Sequence, residues 1–124
     1  MKAEKIDHVA ILVKDLEKAG KFYADLFGAE FSGPNEVKNL DIRNLLSPLG
    51  IELVSPLSPD GAMARTLERR GEGLTMLSLK VTNVAEAAAE MKARGIRQIG
   101  ALEGRAAIFH PKDLFGVTIE LIQR

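Results

Sequence analysis

The chain has 124 residues, 46% of them hydrophobic, with 17 Lys plus Arg balancing 17 Asp plus Glu. That length fits one ordinary domain. The zero net charge argues against a nucleic-acid binder working through a broad basic field, and the absence of cysteine excludes disulfides, thiolate metal sites and cysteine nucleophiles.

Residues 6–13 form a β-rich apolar run, and Asp15 then suits a helix N-cap. Leu16, Ala19, Tyr23 and Leu26 follow on one helical face, and Gly28 ends the helix. Short strands are expected near 29–31, 40–46 and 50–55. Ser58-Pro59-Asp60 reads as a second helix start with proline in the first turn, and Met63 and Leu67 should face inward from it. Residues 69–73 (Arg-Arg-Gly-Glu-Gly) form a solvated link. Residues 74–81 then read as a strand, Asn83 as a cap, and Val84, Ala87, Ala88 and Met91 as an apolar stripe ending at Gly95. Strands near 96–99, 105–109 and 117–123 complete the chain. No apolar run reaches the ~20 residues of a membrane helix. Residues 1–7 lack an apolar signal core, so a cytoplasmic protein is expected.

The second half repeats the first. Val9, Ile11, Val13, Leu16 and Ala19 match Leu77, Leu79, Val81, Val84 and Ala87, all 68 positions later, and residues 51–54 (IELV) match 119–122 (IELI) at the same offset. The expected architecture is α+β: one domain over 1–124, made of paired βαβββ modules at about 5–56 and 73–124. The modules should form a curved open sheet with a central cleft and helices on one face of each half.

Strand alternation turns the repeat into a site. If Val9, Ile11 and Val13 pack on the helix, His8 faces the other way. Ile51 and Leu53 likewise leave Glu52 on the opposite face, and Ile119 and Leu121 leave Glu120 there. Pseudo-symmetry gathers His8, its counterpart Met76, Glu52 and Glu120. An unpaired buried carboxylate costs several kcal/mol, so two at symmetric positions call for an explanation: a shared partner, or edge positions open to water. One imidazole and two carboxylates suit a borderline divalent ion such as Zn, Ni, Co or Mn, whereas the Met76 thioether is a soft, weak ligand. No separate organic-cofactor site is read: Gly71-Glu72-Gly73 lacks the spacing of a phosphate loop.

The segments HVAILVKDLEKAGKFYADLFGAEF, IELVSPLSPDGAMARTLERRGEG and FHPKDLFGVTIELIQ resemble the vicinal oxygen chelate superfamily. It includes glyoxalase I, bleomycin-resistance proteins, extradiol dioxygenases and the methylmalonyl-CoA epimerases, the last being the most similar group. The resemblance implies a glyoxalase-like fold and a metal held from the first, fourth, fifth and eighth strands, here His8, Glu52, Met76 and Glu120. The family's Gly-x-His-His pair reads Gly73-Leu74-Thr75-Met76 in this chain, so the usual fifth-strand His is missing. Residues 103–105 (Glu-Gly-Arg) stand where the epimerases carry a longer glycine-rich loop. The resemblance implies proton transfer beside a thioester carbonyl between two carboxylates, Glu120 and, on the third strand, Asp41, with Arg43 the alternative cleft-facing residue. It also implies a small-molecule substrate of the acyl-CoA type and a homodimer; charge balance and the lack of a long apolar run leave neither nucleic acid nor membrane as an expected partner. The competing expectation is a metal-free sequestering protein like the bleomycin-resistance members. His110, before Pro111, is expected to stabilise a turn.

Overall fold

The computed structural model describes residues 1–124. Its first strand, β1 (Ala3–Leu12), is shared between two compact units. One unit comprises residues 10–74, and the other combines residues 1–9 with 75–124.

In the unit of residues 10–74, α1 (Leu16–Phe27) is followed by β2 (Ser32–Val37), β3 (Ile42–Ser47), β4 (Ile51–Pro56) and α2 (Ala62–Arg70). The strands pair antiparallel in the order β2-β3-β4, with Leu45 opposite Leu53 and Leu46 opposite Glu52. Just past the end of β1, the Val13 N–H donates to the Val54 carbonyl at 2.8 Å. Asp15 caps α1 as its sequence position suggests, its carboxylate accepting the Lys18 N–H at 3.0 Å. The inward stripe of α1 packs Leu16, Ala19 and Tyr23 on Val13, Leu45 and Leu53.

The expectation of one helix-covered face is corrected in this unit. Met63 and Leu67 of α2 do face inward, but onto the opposite side, where they join Leu12, Ile42 and Val54. The apolar pair in the connecting segment gains more by covering that face than by remaining in water. The start of α2 is corrected as well, because its N-cap is Gly61 and not Ser58. The Ser58 hydroxyl donates instead to Asp41 Oδ2 at 2.7 Å, and the Leu57 N–H donates to the Asp41 carbonyl at 2.9 Å. An ideal Cβ at Gly61 would lie 1.7 Å from that same carboxylate oxygen. A side chain there would have to displace the Asp41 carboxylate, so glycine is favoured by space and not by backbone angle.

In the unit of residues 1–9 and 75–124, β5 (Gly73–Val81) enters from residue 75 and leads to α3 (Val84–Ala93). Next come β6 (Gln98–Glu103), β7 (Ala106–Phe109) and β8 (Ile119–Gln123), in the sheet order β5-β8-β7-β6. β5 and β8 run parallel, with Ser78 beside Glu120. β7 and β8 are antiparallel, with Ile108 opposite Glu120. Asn83 caps α3 by accepting the Glu86 N–H at 3.0 Å. Val84, Ala87 and Met91 bury against Val81, Ala107, Phe109 and Leu121.

Both edge strands lie later in the chain than expected. Residues 29–31 precede β2 and residues 96–97 precede β6. Phe31 and Ile96 pack into the helix-side cores, whereas β6 is exposed throughout and β2 nearly so.

The turn before β8 is held by charge. Asp113 accepts from the Arg97 N–H at 3.0 Å, from its Nε at 2.9 Å and from a terminal guanidinium nitrogen at 3.0 Å. This hydrogen bonding lowers the Asp113 carboxyl from 3.8 to about 2. A carboxylate depressed in the fold adds stability above its unfolded value and loses it as pH falls through the folded one. The stability difference between wild type and Asp113→Asn should therefore hold above pH 3.8 and disappear as the pH falls through about 2. Urea midpoints measured across that window provide the check, and a pH-independent difference would show that the ion pair contributes nothing. His110 takes the expected turn role, its Nδ1 accepting the Lys112 N–H at 3.1 Å.

Candidate active site

Strand alternation places the polar residues as expected within each unit. In β8, Ile119 and Leu121 pack toward α3, so Glu120 turns to the other face. In β5, Leu79 and Val81 pack toward α3, leaving Met76 and Ser78 on the face away from them. In β4, Ile51 and Leu53 pack toward α1, leaving Glu52 on the face of Val54.

The unit of residues 1–9 and 75–124 brings His8 and Glu120 together. His8 Nε2 lies 3.5 Å from Glu120 Oε1, and both side chains are nearly buried. The Ser78 hydroxyl, fully buried on the neighbouring strand, donates to the same Oε1 at 2.7 Å. On the other side of the imidazole, Nδ1 is 2.7 Å from Asp7 Oδ2. Arg124 Nε reaches Asp7 Oδ1 at 2.9 Å and Oδ2 at 3.1 Å. Burial works against the charge on Asp7, but the hydrogen bonds from His8 and Arg124 outweigh it and hold the Asp7 carboxyl below its usual range. An ionised carboxylate only accepts, so the hydrogen between Asp7 and His8 resides on Nδ1.

In the unit of residues 10–74, Glu52 is buried and Oε2 accepts from Asn44 Nδ2 at 2.7 Å. Asn44 is oriented in turn by Asn35, whose Nδ2 donates to Asn44 Oδ1 at 3.2 Å. The two buried glutamates thus share a device: each is held by a neutral donor on the adjacent strand. No buried side-chain nitrogen or oxygen lacks a partner, so the desolvation of these groups is offset by hydrogen bonds.

Asp41 lies between a 3-10 turn and β3, in the left-handed region at φ 55. Its carboxylate holds Ser58, as described. Arg43 is drawn away to Glu17 of α1 by an ion pair at 2.8 Å.

The spacing of His8 and Glu120 is one that two donors to a single divalent ion take. A nitrogen and an oxygen each about 2.1 Å from one ion in tetrahedral array span about 3.4 Å, close to the 3.5 Å between Nε2 and Oε1. A ligating imidazole that gives its other N–H to a carboxylate is the arrangement metal sites use to fix tautomer and ring orientation. Asp7, Ser78, Asn44 and Arg124 were not expected from the sequence. Ser78 alone left a signal: it is the one polar residue in Leu77-Ser78-Leu79, at the repeat position of Ala10.

Comparison with known proteins places this fold. Residues 7–111 match the Glyoxalase/Bleomycin resistance protein/Dioxygenase superfamily, and the chain belongs to that superfamily. Within it, the relatives include methylmalonyl-CoA epimerases. The mitochondrial enzyme of Mus musculus is 35% identical over 98% of this chain and 74% of its own length. The ethylmalonyl-CoA/methylmalonyl-CoA epimerase of Cereibacter sphaeroides is 32% identical over 96% of this chain and 97% of its own. A Streptomyces coelicolor methylmalonyl-CoA epimerase, solved in complex with 2-nitronate-propionyl-CoA, superposes with a TM-score of 0.89 at 25% identity over 98% of each chain. The α+β architecture expected from the repeat, and the glyoxalase-like fold that the resemblance implies, are therefore the fold of the chain. No helix is long and apolar enough to cross a membrane.

Proposed function

We propose that this chain is an isomerase of the methylmalonyl-CoA epimerase type, acting on the carbon between the thioester and the carboxylate of a 2-substituted malonyl-CoA. The observation that carries the reading is the buried, oriented His8–Glu120 pair in a chain whose relatives are named as epimerases of such substrates.

In this reading His8, Glu52 and Glu120 would hold a divalent ion of the Zn, Co, Ni or Mn kind, with Met76 at the family's fourth ligand position. Bound there, the ion would act as a Lewis acid toward the substrate oxygens and ease loss of the proton next to the carbonyl. The remaining work falls to the chain. Asp7 and Ser78 fix the two side chains, so no reorganisation is needed as charge develops. The Glu120 carboxylate takes the proton from one face of the carbon, and Asp41, in the proposed pairing, returns one to the other face. The C–H bond broken and the C–H bond formed balance, and only configuration changes. The Ser58 hydroxyl orients Asp41 for this role. A homodimer and a cytoplasmic setting complete the proposal.

The test is isotope exchange. A single epimer of methylmalonyl-CoA is incubated with the protein in D2O, with and without prior chelation, and proton NMR follows C2. Exchange with inversion that stops on chelation and returns with Co or Zn is expected; no exchange in the metal-replete protein would overturn the reading. Asp41→Asn should block exchange from one epimer only, and full exchange from both would confine Asp41 to the turn before α2.

A further inference from the structure

We infer that Asp7 is the positioning residue of the site: by accepting the Nδ1 hydrogen of His8 it fixes the tautomer that turns the Nε2 lone pair toward Glu120. This rests on His8 and Glu120 being the ligand pair proposed above.

The argument is geometric. Asp7 and His8 are neighbours on one strand, where successive side chains point to opposite faces. Asp7 nonetheless reaches back, so that Oδ2 lies 2.7 Å from Nδ1. Its other contacts explain how it stays there: Arg124 grips both carboxylate oxygens at 2.9 and 3.1 Å from beyond the end of β8. Glu120 is on that same strand. One strand therefore supplies the carboxylate facing Nε2 and leads to the cation anchoring the carboxylate at Nδ1. The two ring nitrogens acquire different duties. Nδ1 is a committed donor, and Nε2 is 3.5 Å from an oxygen already engaged by Ser78. Turning this imidazole costs the Asp7 bond, which is how a supporting carboxylate raises the affinity of a histidine ligand.

The experiment has two readouts. The first is nitrogen-15 NMR of the ion-free protein, which contains only two histidines, so His110 serves as an internal reference. At alkaline pH wild-type His8 should carry its hydrogen on Nδ1. Asp7→Asn, which preserves size, and Asp7→Ala should move it to Nε2, the form imidazoles otherwise prefer, while His110 is unaltered. The second readout is calorimetric titration with Zn or Co. Asp7→Asn should weaken binding by about tenfold to a hundredfold, with the ion-free melting temperature little changed.

The inference is overturned if His8 keeps Nδ1–H without Asp7, or if ion affinity is the same in wild type and Asp7→Asn. If wild type binds no divalent ion, the metal reading fails, and the tautomer comparison alone still decides whether Asp7 sets the ring. Should Asp7→Ala fail to fold, Asp7→Asn carries both measurements.

Discussion

Glu120→Gln is expected to lower kcat for epimerisation by about 10^2 to 10^4, the usual contribution of a positioned general acid or base, without unfolding the protein. The amide has almost the shape of the carboxylate and keeps an oxygen to accept the Ser78 hydroxyl, which now lies at 2.7 Å. It loses both the basicity needed to take a proton and the charge that a cation would meet. Because the amide keeps the size of the buried carboxylate and the Ser78 contact, the ion-free variant should stay folded, and its melting temperature is the baseline for the titration. A ligand that binds the native state alone raises that temperature, by an amount that grows with the logarithm of its concentration over Kd. Wild type should therefore show a rise with Zn or Co that Glu120→Gln lacks. Retained kcat would remove Glu120 from the chemistry, and an equal rise in both proteins would place the ion elsewhere.

The parts of the fold legible in the sequence are those governed by short-range chemistry. Asp15 and Asn83 are caps because a short side-chain acceptor can reach an N–H three residues on. The stripes of α1 and α3 follow helical spacing and pack as that spacing demands. The edge strands were illegible for a physical reason. Residues of an outer strand such as β6 stay in water and carry no apolar pattern, while the nearby apolar residues Phe31 and Ile96 plug the cores just before the strands begin. The same ambiguity hid the start of α2. Ser58 has the chemistry of a cap, but its hydroxyl is claimed by Asp41, seventeen residues earlier in the chain. Within the site, strand period and repeat together brought out Glu52 and Glu120. They mark Ser78 as a polar residue in an apolar strand but do not pair it or Asn44 with a glutamate, since which donor faces a buried carboxylate depends on strand register across 8 residues for Asn44–Glu52 and 42 for Ser78–Glu120. Arg124 reaches Asp7 across 117 residues, a separation at which local pattern carries no information.

The position where this chain departs from the metal-binding pattern of its superfamily supplies the second large effect. Met76→His is expected to tighten binding of Zn, Co or Ni by at least tenfold, about 1.4 kcal/mol. Met76 stands two residues before Ser78 on the same face of β5, roughly 6.6 Å along the strand, and Ser78 touches Glu120. An imidazole at 76 would thus arise on the face that carries the carboxylate. It would replace a soft, weakly binding thioether by a nitrogen suited to borderline divalent ions. Met76 is only partly buried, so the smaller ring need not leave a sealed cavity. If the surroundings are those of a metal enzyme, the new donor finds a partner in the ion. If they are those of a metal-free sequestering protein, like the bleomycin-resistance members of the superfamily, the imidazole has no ion to serve and costs stability as a poorly paired polar group. Calorimetric titration of wild type and variant, read beside their ion-free melting temperatures, separates the two. Tighter binding at a nearly constant melting temperature supports the metal-dependent isomerase. Unchanged affinity with a lowered melting temperature would remove the metal from the proposed mechanism and leave the sequestering protein as the better account of the Met76 position.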